Sequence, residues 1–365
     1  MSPTTRTLRA AILGTGAVAH LHAEALRRIH GVTAVASADP SEERVRDFNT
    51  RHGIPAGYGS LEELLAAEAV DVVHICTPPA GHAEQTAAAY DAGAHVIAEK
   101  PPALSLAEVD QMQEAAHAAG RQLAVVFQQR TGTAATHIRN LLRSGELGRP
   151  LTTVCHTLWY RGTEYFEVPW RGTWESEGGG TTLSHGIHQI DLLAYLLGEW
   201  SSATGQLFRL DRGVETEDTS CGVVVFESGT VASVLTTVLA PRESSLIRID
   251  TEHATIELEH LYGHNHASWK ITPARHISAE RAASWALPGD EVPSGHDALL
   301  SEVYSALLSG ADVPPVAAAP TRAMEIVAAL YASAGTGRPV TRAELSGPAI
   351  RGSMRAPVVD LRQAR

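Results

Sequence analysis

Leu8-Arg9-Ala10-Ala11-Ile12-Leu13-Gly14-Thr15-Gly16-Ala17-Val18-Ala19 decides how the first third of the chain folds. Leu8 to Leu13 is an apolar run broken only by Arg9, which predicts a strand. It ends on a Gly-x-Gly-x-x-Ala pattern, after which Val18, Leu21, Ala25, Leu26 and Ile29 recur at helical spacing. Each small residue has a physical task. Gly14 permits a tight strand-to-helix turn, Gly16 leaves room for a pyrophosphate at the helix N-terminus, and Ala19 lets the helix pack on the strand. Strand, glycine turn and helix together predict a dinucleotide-binding unit contacted through Gly14, Gly16, Ala17 and Val18.

Working outward, a second strand over Thr33 to Ala38 ends at Asp39, 20 positions beyond Ala19. That is near the spacing of an acid that binds the adenosine ribose diol, and its charge would repel a 2′-phosphate, favouring NAD over NADP. Asp39-Pro40-Ser41 is equally a good opening for the next helix. Helices are expected over Ser41 to His52, Leu61 to Ala67, His82 to Ala92 and Leu106 to Ala119, and strands over Val70 to Cys76, His95 to Ala98 and Gln122 to Phe127. This alternation predicts a doubly wound parallel sheet whose ligand lies at the carboxyl ends of the strands. Thr77, Pro78, Glu99, Lys100 and Gln128 occupy such ends. Lys100 is followed by Pro101-Pro102, so it cannot continue into a helix. A lysine held there can do chemistry when partly desolvated; it can also be a solvated loop lysine.

The chain has 365 residues, 44% apolar and 19% charged, which suits a soluble two-domain protein. A net charge of −12 argues against nucleic acid or an anionic membrane surface as partner. Cys76, Cys155 and Cys221 are far apart, which argues against a disulfide framework or structural zinc and suits a reducing cytosol. Met1-Ser2-Pro3 leads into the first strand without a signal-type apolar core, and no run approaches a transmembrane length. A cytoplasmic location is expected.

Beyond residue 130 the pattern changes. A helix over Thr136 to Ser144 precedes strands at Leu151 to Trp159, Val223 to Glu227, Val231 to Leu239, Leu246 to Thr251 and Thr255 to Leu258. Late helices follow over His296 to Leu308 and Thr321 to Ala334, with Pro314 to Pro320 as a connector. The expected organisation is a Rossmann domain over 1–130 and, over 131–365, an α+β domain with a large open, mainly antiparallel sheet. An open sheet face is commonly covered by oligomerisation, here a homodimer or homotetramer. Gly178-Gly179-Gly180 does not read as packing and suggests a loop pressed against the cofactor. In the run that follows, His188 and Asp191 share a helix face. From the residues alone, His188 is equally a base or a structural histidine, and the nearby tryptophans are equally ligand walls or core.

These features together resemble the Gfo/Idh/MocA family, named for glucose–fructose oxidoreductase and inositol dehydrogenase. The resemblance runs nearly end to end, through Gly14-x-Gly16-x-x-Ala19, Asp39, Thr77-Pro78 with His82, Ala92-Gly93-x-His95-Val96, Glu99-Lys100-Pro101, and Gly178-Gly179-Gly180 to Gly186-x-His188-x-x-Asp191-Leu192. It implies hydride transfer between NAD and a secondary hydroxyl of a sugar, sugar derivative or inositol, with Lys100 on the reacting hydroxyl and His188 as acid/base. The implied cofactor set extends to His82, Gln128, Trp170 and Arg171. A hexose-like ligand also needs aromatic and polar walls, for which Tyr160, Arg161, Tyr165, Trp170, Arg171 and Trp174 are candidates, with Ser184, His185 and Asp191 as further substrate contacts. The donor pairs at Cys155-His156 and His264-Asn265-His266 lack a third ligand, so no metal is expected. One departure stands out: many members carry aspartate four residues before the histidine, where this chain has Ser184 followed by His185. His188 is therefore expected to lean on Asp191 or a substrate hydroxyl. Two other functions fit the same residues, an NAD-recycling lyase or glycosidase and a non-catalytic dinucleotide or sugar sensor.

Overall fold

The structure, a computed structural model, describes residues 7–318 and 321–362. Met1-Ser2-Pro3 and the last two residues of the expected 314–320 connector lie outside the described residues. The chain divides into two compact units. The first begins β1 (Leu8–Leu13), α1 (Ala17–Leu26), β2 (Val32–Ala38), α2 (Glu42–His52), β3 (Ala56–Tyr58) and α3 (Leu61–Ala67). It continues β4 (Val72–Ile75), α4 (His82–Asp91), β5 (His95–Ala98), α5 (Leu106–Ala119) and β6 (Leu123–Val125).

These six strands form one parallel sheet in the order β3-β2-β1-β4-β5-β6. The order reverses between β1 and β4, so Gly14 and Thr77 flank the switch point where open α/β sheets bind ligands. Ala19 and Ala23 let α1 lie close on Ile12 and Val72. Ser41 caps α2 by accepting from the Arg44 N–H, and Gly53 ends it in the left-handed region at φ 69°.

The second unit contains α6 (Thr133–Arg143), β7 (Pro150–Tyr160), α7 (Ile187–Leu197), β8 (Trp200–Arg209), β9 (Thr219–Phe226), β10 (Val231–Thr237) and β11 (Leu239–Thr251). It continues with β12 (Ala254–His260), β13 (Trp269–Pro273) and the short α8 (Ala279–Ala283). The chain then re-enters the first unit as α9 (His296–Ser309), and returns to the second as α10 (Thr321–Thr336), β14 (Val340–Thr341) and β15 (Val359–Asp360). The sequence reading grouped α9 with the second domain. In the structure Leu299, Leu300, Val303 and Tyr304 join the core of the first sheet with α1. Periodicity shows that a helix has an apolar face; it does not say which sheet the face covers.

The nine-stranded sheet runs β13-β12-β11-β7-β10-β9-β8-β14, with β15 also on β8. Most pairs are antiparallel; β7–β10 and β8–β15 are parallel. On β10 burial alternates, with Ala232 and Val234 inward and Val231 and Ser233 outward. β8 was not expected, because Ser-Ser-Ala-Thr-Gly lacks the usual strand composition. It forms because β9 and β14 pair with its two edges, and because Gly205 lets α10 come close: a Cβ there would lie 2.7 Å from the Leu330 carbonyl oxygen.

Gly14 is the strictest position of the first unit. Its φ is 83°, and a Cβ would stand 2.8 Å from the Cys76 carbonyl oxygen. Gly14→Ala should therefore destabilise by ~2 kcal/mol, by overpacking and backbone strain together. A thermal melt checks this; an unchanged midpoint would show that the turn can relax.

Candidate active site

In the first unit the glycine turn is set by Gly14 N–H donating to the Ala38 carbonyl at 2.8 Å. α1 then starts at Gly16 with no side-chain cap and no acid in its first turn. Its opening N–H groups and the positive end of its dipole are left for an external anion. A Cβ on Gly16 would meet nothing within 4 Å, so the open space that a pyrophosphate needs is there.

Asp39 carries out more than one task. Its Oδ2 accepts from Thr15 N–H at 3.0 Å and Thr15 Oγ at 3.1 Å, and its Oδ1 accepts from Ser41 N–H at 3.0 Å and Arg44 Nη2 at 2.6 Å. It ties the glycine turn to the start of α2, where Ser41 is the cap. Burial pushes its carboxyl up, but these backbone bonds and Arg44 outweigh that and hold it below the usual range.

His82 was expected to touch the cofactor. The structure buries it, with Nε2 2.9 Å from the Thr77 carbonyl and Nδ1 3.2 Å from the Pro102 carbonyl, so it pins the loops after β4 and β5 to each other. Thr77 donates its hydroxyl to Gln85 at 2.6 Å. Pro78 precedes a short 3-10 turn, and Gln128 opens another.

Glu99, also expected at the cofactor, is turned inward. Its Oε1 lies 3.0 Å from His22 Nε2 and 2.9 Å from His296 Nε2, and its Oε2 accepts from the Lys100 N–H at 3.1 Å. Behind His22, His74 Nδ1 lies 2.7 Å from His22 Nδ1, and His74 Nε2 lies 2.7 Å from the Tyr304 hydroxyl. Donors and acceptors balance along this row with neutral imidazoles. Tyr304 donates to His74, His74 to His22, and His22 to an ionised Glu99. The ligating atoms of His22, Glu99 and His296 lie within 4.8 Å of one another, the one group among the described residues compact enough to hold a metal. The hydrogen bonds already account for that compactness. Glu99 therefore acts on Lys100 through its backbone, leaving the half-buried Lys100 side chain at the end of β5.

In the second unit the three glycines correct the sequence reading, because packing is what requires them. A Cβ on Gly179 would lie 2.5 Å from the Tyr331 hydroxyl, and one on Gly180 would lie 2.1 Å from the Glu217 carbonyl oxygen. The Glu217 carboxylate accepts from Gly180 N–H at 3.1 Å, Thr182 N–H at 2.9 Å and the Tyr331 hydroxyl at 2.7 Å. A π-helical turn, Thr182–Gly186, follows and runs directly into α7. Such turns are frequent at functional sites.

This turn and the first turn of α7 carry Ser184, His185 and His188, all buried. Ser184 donates to Glu177 Oε1 at 2.6 Å. His185 Nε2 lies 3.3 Å from the Tyr165 hydroxyl, and its ring meets the Trp159 ring edge-on. The Arg171 guanidinium sits over the Tyr165 and Trp170 rings. Arg161 pairs with Glu243 at 2.9 Å and covers Trp159. Tyr160 is 47% exposed because strand alternation turns it away from Trp159, the residue the sequence reading passed over. Trp174 packs edge-on against Tyr331. Asp191 is also corrected. It is buried with both oxygens bound by the Arg130 guanidinium, so its first task is to anchor α7. Arg130, Glu177, Glu217 and Tyr331 gave no signal in the sequence, since their partners are distant in the chain.

Residues 8–127 match the model described as an oxidoreductase family with an NAD-binding Rossmann fold, and residues 135–257 match the GFO/IDH/MocA C-terminal domain. The chain belongs to the Gfo/Idh/MocA oxidoreductase family. Among relatives, D-glucoside 3-dehydrogenase of Escherichia coli is 28% identical over 94% of this chain and 99% of that protein. Myo-inositol 2-dehydrogenase of Thermotoga maritima is 30% identical over 53% of this chain and 55% of that protein. The WlbA dehydrogenase of Chromobacterium violaceum, solved with NADH and UDP-GlcNAcA, is 27% identical, with a TM-score of 0.79 over 93% of this chain and 96% of that one. The family's NAD-binding fold, residues 8–127, lies almost wholly in the first unit.

The Glu99 row gives this family member a pH signature. Burial holds the His22 imidazole low, opposed by Glu99, and holds His74 well below its ordinary range. Burial would raise Glu99, but His22 and His296 keep it well below the carboxylate range. A histidine lowered on folding stabilises fully above about pH 6.5, and that share is lost as pH falls below it. The Glu99 share is present above about pH 4.5 and is lost as pH falls through its folded value. The melting temperature should therefore be flat near pH 7–8 and fall from about pH 6.5 downward. Glu99→Gln should cost about 2 kcal/mol at pH 7.5. It should remove the loss below about pH 4.5 and steepen the one below about pH 6.5, because Glu99 opposes the lowering of His22. A wild-type midpoint constant from pH 7 to 5 would show that the row is not coupled to folding.

Proposed function

We propose that this oxidoreductase moves a hydride between NAD and a secondary hydroxyl of a sugar, sugar derivative or inositol. The observation that carries this reading is the uncapped α1 N-terminus behind Gly14 and an unobstructed Gly16. Together with Asp39 at the end of β2, this donor set fits a dinucleotide. The polyol class is taken from the D-glucoside and inositol dehydrogenases to which the chain is similar.

When bound, NAD supplies the hydride acceptor. The chain's own residues handle the proton and the charge. An alcohol gives up its proton to water too reluctantly, so a side chain that exchanges protons near neutral pH must take it. We assign that role to the imidazole of His188 and the stabilisation of the developing alkoxide to the Lys100 ammonium. Asp39 holds the ribose diol and disfavours a 2′-phosphate, while its bond to Arg44 keeps that carboxylate ionised. Trp170 and Arg171 complete the proposed cofactor wall, and Arg161, Trp174 and His185 the proposed substrate wall. The outward face of the nine-stranded sheet, with Val223 and Val231 exposed, is the proposed homo-oligomer surface. No helix of the described residues is long and apolar enough to cross a membrane. A cytoplasmic location is proposed from the three widely spaced free cysteines, which suit a reducing compartment.

Inositols, aldoses and anhydrosugars offered with NAD or NADP, followed by absorbance of the reduced cofactor, test the reaction. Lys100→Met and His188→Ala should each lower kcat/KM by ~10²-fold or more while NAD binding survives. NAD should bind at least about tenfold more tightly than NADP. Polyol turnover without NADH accumulation would identify a lyase or glycosidase instead, and NAD binding without any turnover a sensor. Near-wild-type kcat in Lys100→Met would move the chemistry elsewhere.

A further inference from the structure

We propose that Glu177, acting through Ser184, is the carboxylate that orients and charges the His188 end of the helix. It would thereby replace the aspartate that this chain lacks at position 184. The proposal rests on the reading of His188 as the acid/base.

Ser184 and His188 are four residues apart in one unbroken helical stretch, because the π-helical turn continues into α7 without a break. Residues at that spacing stack along one face. Ser184 carries no charge, but its hydroxyl proton is committed to Glu177 Oε1 at 2.6 Å. Toward any other group the Ser184 oxygen can then act only as an acceptor, with the carboxylate polarising the hydroxyl from behind. Glu177 is positioned for that task rather than mobile. It is 3% exposed, and its other oxygen, Oε2, accepts from the Gly172 N–H at 2.6 Å. Both bonds come from segments built around glycines, Gly172 with φ 71° and Gly178 with φ 79°. Both of these donors, a backbone N–H and a hydroxyl, are neutral.

Burial, with Glu217 from before β9, pushes the Glu177 carboxyl up, while its bonds from Ser184 and Gly172 and the Arg171 guanidinium from the loop after β7 favour the ionised form. Tyr165 and His185 face the same region, Tyr331 from α10 is bound to Glu217, and Asp191 on α7 is neutralised by Arg130. Arg161 is neutralised by Glu243 of β11. Glu217 is likewise bound by neutral donors, but Glu177 is the one of these carboxylates whose hydrogen-bonded partner, Ser184, shares a helix face with His188. A negative charge there favours the imidazolium.

The test is NMR titration of the histidine ring nitrogens in the full-length protein without substrate, with the His188 resonances assigned by their loss in His188→Ala. Glu177→Gln should move the His188 midpoint to lower pH by roughly half a unit or more. Ser184→Ala should do the same by cutting the link, and Ser184→Asp in the Glu177→Gln background should restore it. A general loss of packing would not be rescued by that substitution. If Glu177→Gln fails to fold, Ser184→Ala alone decides. An unmoved His188 midpoint in the folded variants overturns the proposal. Turnover on a polyol found in the screen separates the two readings. If His188→Ala is inactive while Glu177→Gln and Ser184→Ala leave the midpoint unmoved, the base stands and Glu177 is merely structural. If His188→Ala retains wild-type turnover, the reading of the base fails and this proposal fails with it.

Discussion

An ionised carboxylate cannot be buried without a partner for its lone pairs, and in the first unit that constraint is met at Glu99. Moving such a charge from water into a protein interior costs several kcal/mol unless hydrogen bonds replace the lost hydration. Glu99 receives them from α1 through His22, from α9 through His296, and from its own chain through the Lys100 N–H. His22 is in turn held by His74 of β4, and His74 by Tyr304 of α9. One charge thus ties two helices and two strands together beneath the lysine proposed for the chemistry. The segment after Gly295 belongs to this unit for that reason as much as for its apolar face.

The second unit answers the same constraint three times. Glu217 is covered by backbone N–H groups of the glycine loop and by Tyr331, Glu177 by Ser184 and Gly172, and Asp191 by Arg130. The three glycines are what let the loop come close enough to cover Glu217. Burial raises all three carboxyls, so each pair of bonds works against a desolvation cost. Around the π-helical turn these bonds leave little rotational freedom to Ser184, and the preorganisation that a hydride-transfer site needs is built from such contacts.

The residues that could be named from sequence alone are those whose roles are local. Gly14 was legible because a strand must turn sharply into a helix there, and its φ of 83° is the conformation that only glycine adopts freely. Leu61–Ala67, His95–Ala98 and Leu106–Ala119 fall where periodicity and flanking glycine or proline put them. Asp39 sits at the strand end that the glycine spacing indicates. The histidine that follows the glycine loop and the lysine before two prolines were likewise readable as candidates, because motif and spacing are properties of neighbouring residues.

What the chain could not disclose is which polar groups face each other across long separations. His82, Glu99 and Asp191 all lie in recognisable motifs, and all three are turned inward onto partners up to 197 positions away in the chain. The same holds for Glu177, which no motif marks and which reaches Ser184 only because Gly178, Gly179 and Gly180 fold the loop against Tyr331 and Glu217. Sequence by itself determined the strand–helix order, the glycine turn and the identity of the acid at the end of β2, because short-range sterics and periodicity dictate them. Tertiary structure alone decided which carboxylates are buried and by what they are paired, because a hydrogen bond between distant residues exists only once the backbone that carries both has packed.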